Sequence, residues 1–160
     1  MKNIFFNNNL RVGIGFDIHR FKSKRKLFLG GVNIPYKKGL EGHSDGDVLI
    51  HSIIDALLGA CLLPDIGELF PDHDVKYKNI NSVILLEKVL KLLKDLKIKI
   101  INIDSVIVTD EPNISKYKKE IKENLSKIIG IKNINLKGKR TEGIFFKNGI
   151  AVWTTVLVKV

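Results

Sequence analysis

Asp17-Ile18-His19 sets a carboxylate and an imidazole two residues apart. In an extended segment residues i and i+2 point to the same side, so both side chains can reach one cation. Further along, Asp47, His51 and Asp55 follow at i, i+4 and i+8, a spacing that stacks them on one face of a helix. No lysine or arginine shares that face, and the intervening positions are Val48, Leu49, Ile50, Ile53, Ile54, Ala56, Leu57 and Leu58. A helix this apolar is buried on most sides, where an unpaired carboxylate is costly. Together Asp17, His19 and His51 make two imidazoles and a carboxylate, the donor set of a catalytic zinc site with an open fourth position. Asp55 is then expected behind His51, orienting its ring. The plainer alternative is a hydrogen-bonded structural histidine and an internal ion pair.

Three further segments suit an anionic, hydroxylated ligand. Glu41-Gly-His-Ser-Asp-Gly-Asp47 is a glycine-punctuated turn entering a helix. Free N–H groups and the dipole at such a terminus favour phosphate, and His43 and Ser44 add side-chain donors. Pro64 to Asp74 is a loop rich in carboxylates, which accept hydrogen bonds from a polyol. It lacks the spacing of an EF-hand calcium loop. Lys137-Gly-Lys-Arg-Thr-Glu-Gly143 sets three cations beside one carboxylate, which suits a diphosphate with a bridging divalent metal ligated by Glu142. Each segment also reads plainly as a capped turn, a solvated loop or a surface turn.

The elements that must position these groups follow from periodicity and breakers. Arg11 to Phe16 reads as a strand, with Asp17 and His19 just beyond it. Leu27 to Ile34 reads as a second strand, irregular at Gly30-Gly31 and ended by Pro35. A helix is expected from about Gly46 to Leu62, with Ser44 and Asp47 at its cap and Pro64 after it. Asp65 to Asn79 reads as a long loop, a common home of function. Ser82 to Leu96 carries one apolar stripe of Leu85, Leu86, Val89, Leu93 and Leu96. Ile100 to Val108 is a strand of mostly β-branched residues. Ser115 to Ile129 is a helix with Gly130 at its C-cap, and Ile134 to Gly138 and Gly149 to Val158 are the last strands. The last is apolar on both faces, as in a covered central strand or a subunit interface. The order β, β, α, α, β, α, β, β predicts an α/β two-layer domain, a mixed sheet with helices on one face.

The 160 residues, 44% of them hydrophobic, fit one domain spanning 1–160, with residues 1–10 as a loose N-terminal extension. No apolar run approaches the ~20 residues of a membrane span, and Met1 to Leu10 lacks a signal peptide's apolar stretch. The lone Cys61 permits no internal disulfide. The net charge of +10 is dispersed over lysines without aromatic interleaving, so it reads as a solvated surface and not a nucleic-acid platform.

In this order the motifs resemble the 2-C-methyl-D-erythritol 2,4-cyclodiphosphate synthase family. The matching stretches are Arg11-Val-Gly-Ile-Gly-Phe-Asp-Ile-His19, Leu29-Gly-Gly-Val-Asn-Ile-Pro35, Gly39-Leu-Glu-Gly-His-Ser-Asp-Gly-Asp-Val-Leu-Ile-His51, Asp55-Ala-Leu-Leu-Gly-Ala60 and Asp65-Ile-Gly-Glu-Leu-Phe-Pro-Asp72. The H-S-D-G-D-x-x-x-H and D-I-G-x-L-F-P-D patterns are the specific ones, and the resemblance covers nearly the whole chain. It implies a homotrimer with active sites between subunits, zinc held by Asp17, His19 and His51, and a magnesium or manganese ion at Glu142. It implies phosphate contacts from His43 and Ser44 and polyol contacts from Asp65, Ile66 and Gly67. Ile18 and the segment Phe70, Pro71, Asp72, His73 and Asp74 would complete that pocket, with Lys139, Arg140, Thr141 and Glu142 on the nucleotide side. The implied reaction is a CMP-releasing phosphorus–oxygen lyase step of the non-mevalonate isoprenoid pathway, taking a cytidine-diphosphate-linked substrate. The implied compartment is the cytoplasm, or an organelle matrix of plastid type if a targeting peptide has been removed.

The chain departs from the family pattern in three places. Lys139 and Arg140 stand where the family carries threonines, one of which is assigned to transition-state stabilisation, so Arg140 is the expected replacement. Asn113 follows Pro112 where the family has lysine. The segment from Gly143 to Ile150 is about three residues short, which leaves either Phe145 or Phe146 on the family's phenylalanine. Two other classes of function compete: a zinc-dependent phosphohydrolase using water, and a non-catalytic phosphate- or nucleic-acid-binding module.

Overall fold

The computed structural model describes residues 9–144 and 148–160, so most of the expected extension 1–10, together with Phe145 and Phe146, lies outside the described residues. One long strand, β1 (Leu10–Ser23), organises the sheet. It runs antiparallel to β7 (Gly149–Lys159), from Leu10 opposite Lys159 to Arg20 opposite Gly149. Its far end pairs with the short β4 (Lys38–Leu40). β5 (Lys99–Val108) lies antiparallel on the other side of β7, and β6 (Ile134–Lys139) joins β5 in parallel. The order β4-β1-β7-β5-β6 is the mixed sheet expected, and β7 is its central strand.

Two strands differ from the expectation. The first continues well past Phe16, because β7 supplies a partner for each residue through Arg20. Asp17 and His19 are therefore inside the strand and not after it. The stretch from Leu27 to Ile34 is a hairpin of β2 (Leu27–Leu29) and β3 (Val32–Ile34), paired apart from the main sheet. Gly30 and Gly31 turn the corner with φ of 60° and 76°, a region open to glycine at little cost.

The helices α1 (Val48–Ala60), α3 (Ser82–Asp95) and α4 (Lys118–Ile129) cover one face, and a single helical turn, α2 (Ile66–Leu69), sits within the expected long loop. Asp47, not Ser44, caps α1: its carboxylate accepts from the N–H of Ile50 at 3.0 Å, of Gly30 at 2.9 Å and of Gly31 at 2.7 Å. Burial pushes the Asp47 carboxyl up from its ordinary pKa, and these backbone donors oppose the rise. The first residue of the expected helical stripe is thus a staple between α1 and the hairpin.

The approach of α1 to β1 decides where the site forms. Gly13 and Gly15 face the helix, and a Cβ at either would stand 1.9 Å from the Ala56 carbonyl or 2.0 Å from that of Ser52. Only hydrogen at these positions lets strand and helix meet backbone to backbone. Two and four residues beyond Gly15, on the same face of β1, come Asp17 and His19. Below them a buried hydroxyl chain ties the layers together: Ser52 Oγ lies 2.8 Å from Thr154 Oγ1, which lies 2.8 Å from Ser105 Oγ.

Among the described residues, the other face of the sheet carries no helix. Leu10, Val12, Ile14, Phe16 and Ile18 project from β1 there, with Val12 67% and Ile14 70% exposed. Phe16 packs on Trp153 of β7 with ring centroids 4.6 Å apart. Among the described residues no helix is long and apolar enough to cross a membrane.

Candidate active site

Asp17 and His19 reach down from β1, and His51 reaches up from the first turn of α1. Asp17 Oδ2 lies 3.0 Å from His51 Nδ1 and 3.0 Å from His19 Nε2, and the two nitrogens are 3.4 Å apart. Among the described residues these three form a group whose donor atoms lie within 4.8 Å of one another. Tetrahedral ligands at zinc–nitrogen distances of ~2.0–2.1 Å are separated by roughly 3.4 Å. The triangle therefore fits a divalent cation, and the chemistry of its donors suits one.

The charges of the three groups are interlocked. Burial works against ionised Asp17, but hydrogen bonds from His19 and His51 prevail and hold its carboxyl well below the usual carboxylate range. Burial likewise opposes a charged His51, yet the hydrogen bond and charge of Asp17, then the charges of Asp47 and Asp45, raise its pKa above the ordinary imidazole value. Where His51 is protonated on both nitrogens, a cation at this triangle must displace one of those protons, whereas Asp17 is ionised beforehand. Affinity for Zn²⁺, measured by chelator competition, is therefore expected to rise by roughly tenfold per pH unit until His51 is deprotonated and to level off above that point.

The other nitrogen of His51 faces serines. Its Nε2 lies 2.8 Å from Ser82 Oγ and 3.1 Å from Ser44 Oγ. Asp55, expected behind His51, does something else: its Oδ1 accepts from the Ile66 N–H at 2.9 Å and anchors the turn that begins α2. Burial, aided by the charges of Asp65 and Asp17, raises the Asp55 pKa. A carboxylate one helical turn beyond His51 is offset along the axis, so the hydroxyls take the position that spacing had given to Asp55.

The triangle lies in a cavity of about 270 Å³. His43, Ser44, Ile66, Gly67, Phe70 and Asp72 line it, and Asp55 and Tyr77 are also in its wall. Asp65, Pro71, His73 and Asp74 are not: Asp65 caps α2 through the Glu68 N–H, and Asp74 accepts from the Lys76 N–H. The His43–Ser44 turn is held from behind by Arg25, whose guanidinium donates to the carbonyls of Gly42 (2.9 Å) and Ser44 (2.5 Å). Glu41 of the same turn is taken up by Lys22 and Arg20, which hold its pKa down at about 2. His43 Nε2 is buried with no hydrogen-bond partner among the described residues, an orphan donor or acceptor in a cavity wall.

The cationic segment does not join this cavity. Lys139 and Arg140 line a second one, about 220 Å³, with Asp110, Pro112, Asn113 and Ser115. Thr141, expected to face substrate, is buried, and its N–H and hydroxyl both donate to Asp110. Glu142 is exposed and outside the metal-ligating group. Ile18 donates its N–H to Asp17 Oδ1, and its side chain lies on the open face. Sequence spacing did not reveal Ser82, Arg25 or Asp45. Each reaches its partner across 17 or more residues, and a serine at a helix start carries no other local signal than capping.

A model of the YgbB family matches residues 10–159. Over 153 residues the chain is 51% identical to the 2-C-methyl-D-erythritol 2,4-cyclodiphosphate synthase of Caldicellulosiruptor bescii, covering 92% of this chain and 98% of that one. Among solved structures it is similar to the bifunctional IspDF from Campylobacter jejuni, with TM-score 0.89 and 41% identity over 94% of this chain. It spans only 42% of that longer protein. It is also similar to IspF of Plasmodium falciparum in complex with CDP, with TM-score 0.83, 35% identity, and 95% and 97% of the two chains covered.

Proposed function

Because this chain belongs to the YgbB family, we infer that it converts 4-diphosphocytidyl-2-C-methyl-D-erythritol 2-phosphate to 2-C-methyl-D-erythritol 2,4-cyclodiphosphate and CMP in non-mevalonate isoprenoid synthesis. The observation that carries this reading is the donor triangle of Asp17, His19 and His51, set in a cavity walled by His43, Ser44, Ile66 and Gly67.

The 2-phosphate of the substrate is an anion near neutral pH, so no protein general base is needed. One of its oxygens bonds to the β-phosphorus, the bond from that phosphorus to the oxygen of the α-phosphate breaks, and CMP departs with that oxygen. Such a displacement depends on positioning and charge neutralisation. Asp17, His19 and His51 would hold a divalent cation, zinc by donor type, which when bound supplies Lewis-acid charge to the diphosphate. His43 Nε2 has no hydrogen-bond partner among the described residues and meets the phosphates. Ser44 Oγ accepts from Gly46 N–H at 3.2 Å and turns its own proton to the same anion. The backbone of Ile66 and Gly67, fixed through Asp55, receives the polyol hydroxyls.

The nucleotide side comes from a second copy of the chain. Within one subunit the triangle and the Lys139–Arg140 cavity share no lining residue, and the bare apolar face of β1 calls for cover. We assign that cover to a homotrimer, with Lys139 and Arg140 of one subunit completing the site of its neighbour. Arg140 there would neutralise charge in place of a threonine, and Glu142 would supply a carboxylate to a magnesium or manganese ion accompanying the diphosphate. The reaction belongs in the cytoplasm, where bacterial relatives of this type would meet their substrate.

Product analysis tests this reading. Purified protein given the cytidyl substrate with Zn²⁺ and Mg²⁺ is expected to release CMP together with a cyclic diphosphate, and to release neither after chelation. Linear products beside CMP would make water the nucleophile and the protein a hydrolase. No turnover by folded, zinc-loaded protein would remove the assignment.

A further inference from the structure

We propose that Ser82, backed by Asp45, is a positioning residue that keeps the proton of His51 on Nε2 and so turns Nδ1 toward Asp17 and His19. The inference rests on the cation site described above and adds to it the groups that select the histidine tautomer.

The argument follows the hydrogens. Ser82 is the first residue of α3 and is fully buried. Its N–H donates to Asp45 Oδ2 at 3.0 Å, and its Oγ stands 2.5 Å from Asp45 Oδ1 and 2.8 Å from His51 Nε2. A carboxylate accepts and does not donate, so the one hydroxyl proton of Ser82 goes to Asp45. Oγ then has only lone pairs left for His51, and the proton between them belongs to Nε2. The hydroxyl of Ser44, 3.1 Å from the same nitrogen, serves as a second acceptor. An imidazole protonated on Nε2 carries a lone pair on Nδ1. That is the nitrogen 3.0 Å from Asp17 and 3.4 Å from His19.

Asp45 is itself held. Its N–H donates to the Ile80 carbonyl at 3.1 Å, and its Oδ1 also accepts from the Asp47 N–H at 3.2 Å. The chain of contacts therefore runs from the turn before α1, through the start of α3, back to a ligand on α1. Carboxylate, hydroxyl and imidazole take the place that a carboxylate alone fills behind many metal-bound histidines.

Zn²⁺ titration against a chelator, joined to ¹⁵N-histidine NMR of the zinc-loaded chain, tests the proposal. The unsubstituted protein is expected to show His51 with a slowly exchanging proton on Nε2 and zinc on Nδ1. Ser82→Ala is expected to weaken Zn²⁺ binding about 10–100-fold and to lose the slow exchange of that proton. Ser82→Thr, which keeps the hydroxyl, is expected to restore both. If Ser82→Ala fails to fold, Asp45→Asn carries the test: with its acceptor altered, Ser82 no longer has to take the His51 proton, so affinity and exchange must shift in the same direction. Unchanged Zn²⁺ affinity and an unchanged Nε2 signal in these variants would overturn the proposal, even if they are less stable. So would zinc on Nε2. If the unsubstituted chain binds Zn²⁺ no better than His51→Ala, the cation site itself falls, an outcome distinct from failure of the serine alone.

Discussion

His51→Ala is expected to abolish stoichiometric zinc binding and to lower kcat by at least about 10²–10³-fold, the cost of losing a single preorganised donor in other active sites. The loss here should be no smaller, because the residue contributes a third of the donor triangle and its removal would leave a cation there without one of its three protein donors. Asp17 would also lose one of the two hydrogen bonds that keep it ionised while half-buried. The measurement pairs zinc content per chain with CMP release at saturating substrate. A variant that retains one zinc per chain, or turns over within tenfold of the parent, would show that the triangle is not the cation site.

Ile14→Glu is expected to convert the assembly to monomers by analytical ultracentrifugation and to reduce turnover at least 100-fold, with zinc still bound. Ile14 is 70% exposed in the single chain and flanked on β1 by Val12 and Phe16. In isolation, then, the substitution touches little, and the subunit's own stability should change by no more than about 0.5 kcal/mol. In an assembly that buries this face, each copy would sequester an unpaired carboxylate, a burden of several kcal/mol per charge. Activity would fall because the Lys139–Arg140 cavity would no longer meet the triangle. An active trimer carrying Ile14→Glu would place the interface elsewhere. Active monomers would put the whole site inside one chain.

The three donors that the structure brings together were legible from spacing alone, and the bounds of the elements that carry them were less so. Asp17 and His19 announce themselves by an i, i+2 spacing, and His51 by sitting on a helix without nearby cations. The strand around them was misjudged because its inward positions are Gly13, Gly15, Asp17 and His19. An inward row of glycines and ligands erases the alternation that marks a half-buried strand. The hairpin at Gly30-Gly31 looked like one strand because both arms are apolar. Asp47 and Asp55 shared a face with His51, as their spacing requires, but spacing does not tell which neighbour each will meet. One is used by a distant hairpin and the other by the turn before α2. Ser82 was invisible in its role because Asp45 lies 37 residues away.

The contact of Gly13 and Gly15 with the carbonyls of Ala56 and Ser52 has a consequence for which ions the protein can use. Where two elements touch through main chain, no side chain between them can flex to widen or narrow the gap. The backbone frame that carries Asp17, His19 and His51 is therefore a gauge of nearly fixed aperture. Loading and unloading should leave the backbone superimposable, with little reorganisation energy in either direction. A cation held there would be sorted by radius, against one as large as calcium, which needs longer bonds and more oxygens. Among small divalent ions the frame would offer weaker discrimination, and their supply in the cell would then decide which one binds.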